Sequence, residues 1–157
     1  MLNLNEMKPI VFDELMKVEV QNYADEKVKA GTWTQEEALQ KSKESFQLLL
    51  PEGLKTVDHY LLSLSKPDTN ESIGYFWYHF DENHPQKEAF IYNFVIFEPY
   101  RGQGLGRRAL ETLEKHVKKQ GVKKLSLHVF AHNERAIHLY KESMYHITDI
   151  TMSKVIR

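Results

Sequence analysis

The chain has no cysteine among its 157 residues. Disulfides, thiolate metal sites and cysteine nucleophiles are therefore excluded. No apolar run approaches the roughly 18 residues that a membrane span needs. The first residues, MLNLNEMKPIVFDELMKVEV, lack the basic stretch and apolar core of a secretory signal. A cytoplasmic protein with no membrane contact is the expectation. Charge of one sign is also lacking: 21 basic residues face 22 acidic ones, for a net charge of −1. Nucleic acid is not expected as a partner, because nothing global attracts it. The length suits one domain, spanning residues 1–157, with enough chain to bury a core.

Glycine is scarce too, with seven in the chain, yet Gly102, Gly104 and Gly106 fall within five residues of FEPYRGQGLGRR (97–108). Residues 101–124 carry eight basic residues against two acidic ones. The arginines lie at the glycines and the lysines farther along, where a solvated helix face accounts for them equally well.

The pattern of the chain predicts mixed α/β structure. A short strand is expected at Leu2–Met7, then a helix from Ile10 to about Ala30 behind Pro9. Thr34 and Glu37 form a capping-box pattern ahead of a second helix, which Pro51 and Gly53 end. Strands are expected over 58–65, 72–80 and 89–97, separated by the turn-forming stretches KPDTNE and DENHPQKE. The third of these, AFIYNFVIF, is apolar nearly throughout and reads as an inner strand. After the glycine loop, Leu105, Ala109, Leu113 and Val117 recur every four residues, as in an amphipathic helix closed by Gly121. KKLSLHVF (123–130) alternates as a strand. Asn133 suits the cap of a helix over 134–142, and 145–156 reads as β-rich. The order is β-αα-βββ-α-β-α-β, with a central β-α-β unit from Ala89 to Phe130.

A glycine-rich turn from strand to helix is an anion site in waiting. The first helical N–H groups have no partner within the helix and point one way, and the helix dipole adds positive charge there. Each hydrogen bond to a charged group is worth roughly 1.5–3 kcal/mol. The P-loop pattern GxxxxGK[ST] is absent. The dinucleotide pattern GxGxxG is missed by one residue, and LSLHVF ends without the acidic residue that fold wants.

The loop instead resembles motif A of the GNAT N-acetyltransferases, (Q/R)-x-x-G-x-(G/A), at Arg101, Gly104 and Gly106. NERAIHLYKESMY is similar to motif B of that family, with Asn133, Ala136 and Tyr140 in register. The resemblance runs from about Ile73 to the C-terminus. It implies the GNAT fold: a mixed, mostly antiparallel sheet whose two parallel strands splay apart to admit acetyl-CoA as cosubstrate. By that resemblance a bulge near Phe94, Val95 and Ile96 meets the pantetheine arm. Arg101, Gly102, Gln103, Gly104, Leu105, Gly106 and Arg107 hold the pyrophosphate, with Asn133 and Ala136 beside them. Asn133 is equally explained as a helix cap.

The implied reaction is attack of a neutral amine on the thioester. Tyr140 is implied as the acid that protonates the departing thiolate, since a tyrosine near pKa 10 stays protonated beside a thiol near 8.5. Packing on an apolar helix face is its alternative role. No strand residue stands out as general base. Tyr92, Asn93 and Glu98 are polar candidates, and a water relay is the default. The family glycine four residues after Tyr140 is Met144 here, which puts the end of the last helix in question. The acceptor is expected to be a small-molecule or peptide amine, and homodimers are common in the family. A non-catalytic acyl-CoA-binding or sensory domain is the alternative function. No metal is expected: the eight histidines show no HExxH. Glu19, Asp25, Glu26, Glu36 and Glu37 are placed near the connection of the first two helices, which shapes acceptor entry in the family; acidic groups there would favour a cationic amine, and charged helix faces turned to solvent are the more ordinary reading.

Overall fold

The computed structural model describes residues 1–157. It opens with β1 (Asn3–Glu6), α1 (Pro9–Lys29) and α2 (Gln35–Leu49). Three antiparallel strands follow: β2 (His59–Ser65), β3 (Ser72–Phe80) and β4 (Glu88–Ile96). A short 3-10 turn and the glycine loop lead into α3 (Leu105–Lys119), then β5 (Lys124–Leu127) and α4 (Glu134–Glu142). The sheet order is β1-β2-β3-β4-β5, antiparallel except for the β4–β5 pair.

Period-two alternation in β3 explains the two cores. Phe76 and Tyr78 point to one face, where they join Leu105, Ala109, Leu110 and Leu113 of α3. Tyr75 and Trp77 point to the other, where Met16 of α1 and Phe46 of α2 pack against them. The sheet thus lies between α3 on one side and α1–α2 on the other. Both faces of β3 are buried, which suits a strand this aromatic.

The predicted caps form. Thr34 N donates to Glu37 Oε2 at 2.8 Å, and Asn133 Oδ1 accepts from Ala136 N at 3.2 Å. α1 and α2 are tied where Ser42 Oγ donates to the Val20 carbonyl at 2.6 Å.

Two expected strands are corrected. β5 ends at Leu127, not at residue 130, because its parallel partner β4 turns away beyond Ile91. The segment 145–156 forms no strand at all. Beyond Tyr145 no backbone group bonds to the rest of the chain, and every residue from 146 to 157 is exposed. Strand propensity is the tendency to fit a half-buried pleated surface, and within one chain this segment meets none. No helix is long and apolar enough to cross a membrane.

Candidate functional site

β4 and β5 pair only over Glu88–Ile91 and Lys124–Leu127. Past that point the two strands part, and a cleft of about 1220 Å³ opens between them. Its floor is the second half of β4, its walls are α1 and α4, and the glycine loop stands at one end. β4 therefore has a cleft-lining stretch, and that is why an apolar inner strand carries Tyr92 exposed and Asn93 half-buried.

The bulge lies earlier than expected. Trp77 pairs with Asn93 and Tyr78 with Ile91, so the extra residue of β4 is Tyr92, not one of Phe94, Val95 and Ile96. Those three are paired with β3, at Phe76, Tyr75 and Gly74. A second distortion does sit among them. A Cβ built on Gly74 would stand 2.0 Å from the Val95 carbonyl oxygen. The carbonyl therefore leans over β3 in space that only glycine leaves free. The C=O and N–H of a trans peptide point in opposite directions, so the Ile96 N–H faces away from Gly74. Phe94, Val95 and Ile96 all line the cleft.

At the loop, Gly102 and Gly104 have φ of +76° and +74°, which side chains resist. Gly104 caps α3, and the free N–H groups of the first turn face the cleft end. Gly106 lines the cleft with Gly102 and Gly104 and has a packing use as well. Its missing Cβ would lie 3.1 Å from Leu139 Cδ2, so this glycine lets α4 approach α3.

Arg101 and Arg107 both line the cleft. Arg101 Nε is anchored on the Ile96 carbonyl at 2.8 Å. Arg107 is only loosely paired with Glu111, at 3.9 Å. Arg135 was not foreseen. It stands in the first turn of α4, with Nη2 3.9 Å from the Cβ position of Gly102. A basic residue two after the motif B asparagine was its only signal. Gln103 does not line the cleft; its side chain returns to the Pro99 carbonyl at 3.4 Å. Leu105 is a core residue whose backbone opens α3. The free N–H groups, the helix dipole and three guanidinium groups make this end of the cleft a place for a phosphorylated group. The lysines at 118, 119, 123 and 124 lie at the far end of α3, exposed and outside the cleft.

Across from the loop, Asn133, Ala136 and Tyr140 line the α4 wall. Burial pushes the Tyr140 hydroxyl up to about 12, so it is a neutral donor at physiological pH. Met144 takes the conformation of the glycine it replaces, with φ +71°. Tyr145 N donates to the Tyr140 carbonyl at 2.9 Å and Met144 N to the Lys141 carbonyl at 3.1 Å. Those two bonds are a Schellman close, and the Tyr145 and Tyr140 rings, 5.7 Å apart, supply its apolar contact.

The α1 wall holds a carboxylate that the sequence did not place. Glu19 lies mid-helix, not at the α1–α2 connection, and reaches the cleft floor. Its Oε2 accepts from Asn93 Nδ2 at 3.0 Å, and Asn93 Nδ2 also lies 2.7 Å from the buried Tyr75 hydroxyl. Burial raises the Glu19 pKa, while the bonds from Asn93, Asn22 and Tyr75 and the charge of Arg101 oppose that rise. Asp25 and Glu26 also line the cleft; Glu36, Glu37 and Glu98 do not. Glu26 Oε2 is 2.6 Å from His132 Nε2, which joins α1 to the loop before α4.

Comparison with known proteins agrees with this geometry. Residues 22–144 match the Acetyltransferase (GNAT) family. The chain is 46% identical over 151 residues to YycN of Bacillus subtilis strain 168, an uncharacterized N-acetyltransferase, covering 96% of each. It is 40% identical over 151 residues to YdgE of the same organism, described in the same words, again covering 96% of each. A crystal structure of Bacillus subtilis YycN superposes with a TM-score of 0.96 at 43% identity, over 100% of this chain and 99% of that one. The matched span takes in β4, the glycine loop and α4, and the chain belongs to the GNAT family of acetyltransferases.

Proposed function

We propose that the protein transfers an acetyl group from acetyl-CoA to a primary amine. The observation that carries this reading is the parted β4–β5 pair, with a cationic helix N-terminus at one end and Tyr140 and Glu19 on facing walls. A pyrophosphate fits Arg101, Arg107, Arg135 and the α3 N–H groups. The pantetheine arm fits the open edge of β4 at Phe94, Val95 and Ile96. There the outward Ile96 N–H would meet the thioester carbonyl oxygen, a donor aimed where negative charge develops.

Glu19 is the base in this proposal. An amine arrives mostly as its ammonium form, and only the neutral form attacks. Glu19, directly or through one water, accepts that proton. The amine nitrogen then bonds to the carbonyl carbon as the carbon–sulfur bond breaks. The Tyr140 hydroxyl donates to the departing sulfur and regains the proton that the acylated nitrogen sheds, while Glu19 passes its proton to solvent. Amide and CoA leave, and the proton balance is one proton released to solvent for each ammonium consumed. A carboxylate lining the acceptor side also favours a cationic substrate, with Asp25 adding to that field.

The test is thiol release from acetyl-CoA across a panel of peptides, polyamines, amino acids and aminoglycosides. Release that depends on one amine class is the expected result and identifies the acceptor. A sensory domain would bind acetyl-CoA and release nothing with any amine. A paired acid and base in one cleft is a feature such a domain does not need.

A further inference from the structure

The α1 side of the cleft is lined with rings, and the bulge in β4 adds one of them. Ile91 and Phe94 both pack on the α3 side of the sheet. In a regular strand, residues three apart lie on opposite faces. The extra residue breaks that alternation, so Tyr92 and Asn93 both face α1 and α2. There Asn93 Nδ2 meets the Tyr75 hydroxyl, and the Tyr92 ring stacks on Trp77 with centroids 4.9 Å apart.

Tyr92 is held as a platform. Trp77 beside it is 2% exposed, and Trp77 Nε1 donates to His59 Nδ1 at 2.9 Å, which fixes the indole. Phe90 meets the Tyr92 ring edge-on at 4.8 Å. Tyr92 is nevertheless the one exposed residue of β4, and it lines the cleft. Other elements add rings to the same space. Tyr23 of α1 and Phe46 of α2 meet edge-to-face at 5.9 Å, and Phe130 lies 6.5 Å from Tyr23. All three are half-buried and line the cleft.

The charged groups limit what fits against these rings. Glu19 is tied to Asn93, the neighbour of Tyr92, and precedes Tyr23 by about one helical turn of 5.4 Å. Carboxylate and rings therefore adjoin. The other acids are engaged: Asp25 accepts from Gln21 Nε2 at 2.9 Å, and Glu26 pairs with His132 at 2.6 Å. Lys27 Nζ lies 5.5 Å from the Tyr23 ring and 5.2 Å from the Trp33 ring, and Lys27 also lines the cleft. A second ammonium on the substrate would meet that cation. A polyhydroxylated amine would set its hydroxyls against rings that cannot pair them. One ammonium with an aromatic body close behind it suits the carboxylate and the rings together.

We propose that the acceptor amine is carried on an aromatic ring, and that Tyr92 sets this specificity by stacking against it. The inference rests on the N-acetyltransferase reading above. A free arylalkylamine and a peptide with an aromatic first residue share that chemistry.

Thiol release from acetyl-CoA, compared for phenethylamine, phenylalanyl-glycinamide, butylamine and spermidine, tests the preference. One of the two aromatic amines is expected to show a kcat/KM at least ~10-fold above those of butylamine and spermidine. Which of the two it is separates a free amine from a peptide terminus. Tyr92→Leu keeps apolar cover over Trp77 but removes the ring. It should raise the KM of the preferred aromatic amine at least ~5-fold, with the KM of acetyl-CoA unchanged, and Tyr92→Phe should restore it. Calorimetry of the same amines with the CoA-bound protein reads the site apart from the chemistry. Tyr92-dependent binding without thiol release would support the aromatic site and count against transfer. A preference for spermidine or butylamine would overturn the aromatic site and leave transfer standing. A Tyr92→Leu protein with the wild-type preference overturns it too, as does a protein that binds neither aromatic amine.

Discussion

Glu19 Oε2 and Asn93 Nδ2 lie 3.0 Å apart, so the middle of α1 is tied to the floor of the cleft by a carboxylate that burial holds above its usual pKa. If Glu19 accepts the proton of the incoming amine, it must be ionised in the active form. Turnover should then rise with pH through a limb displaced upward from the ordinary 4.5. Glu19→Gln should abolish that limb and lower turnover roughly 100-fold or more, with acetyl-CoA affinity unchanged. Asn93→Leu removes the leading bond that opposes the rise, so its limb should move to higher pH. A Glu19→Gln enzyme with the wild-type profile would return the base to a water relay.

Tyr140 carries the acid half of the same proposal. Its hydroxyl is neutral across the working pH range, and substitution by phenylalanine keeps the ring and its packing against Tyr145. Tyr140→Phe should lower turnover at least ~10-fold while the acetyl-CoA dissociation constant, read by calorimetry, stays within a factor of about two. Unchanged turnover would leave Tyr140 as a packing residue only.

Local signals made most of the frame legible. The capping pair Thr34–Glu37, the turn-formers between strands and the four-residue period of α3 are written in neighbouring residues, and each matches the structure. The glycine loop and the two motifs led to the family for the same reason. What could not be read depended on residues brought together from far apart. Glu19 and Asn93 are 74 positions apart, and a glutamate in a charged helix gives no sign of facing inward. Gly106 resembled a loop glycine because its packing partner Leu139 belongs to another motif. The tail has the composition of a strand, but a strand needs an edge, and no edge of its own chain receives it.

Met144 offers a direct test of backbone strain. A side chain in the left-handed region costs roughly 1–2 kcal/mol, and Met144 sits there at φ +71°. Its side chain is 75% exposed and contributes little packing in return. Met144→Gly should therefore stabilise the protein by about 1 kcal/mol, part of the gain being offset by the greater freedom of glycine in the unfolded chain. Denaturant midpoints measured with an unchanged slope would check this. A destabilised variant would mean that the methionine side chain makes a contact worth more than the strain.

Gly74 tests how closely the fold and the cleft are joined. A methyl group there would stand 2.0 Å from the Val95 oxygen, 3.1 Å from the Val95 carbonyl carbon and 3.2 Å from the Ile96 Cα. All three are backbone atoms, so no side chain can swing aside and β4 itself must yield. Gly74→Ala should cost about 3 kcal/mol or more, at the upper end for overpacking. Relief of the clash must rotate or displace the Val95–Ile96 peptide, and with it the N–H proposed to meet the thioester. Acetyl-CoA affinity should fall together with stability. Gly31→Ala is the control: its backbone is also left-handed, at φ +78°, but its Cβ meets nothing within 4 Å and it lies outside the cleft. That variant should lose stability through strain alone and bind acetyl-CoA as wild type does. Should Gly74→Ala lose stability yet keep full affinity, the Val95–Ile96 peptide would be a feature of the fold, and the donor to the thioester would have to be sought elsewhere along β4.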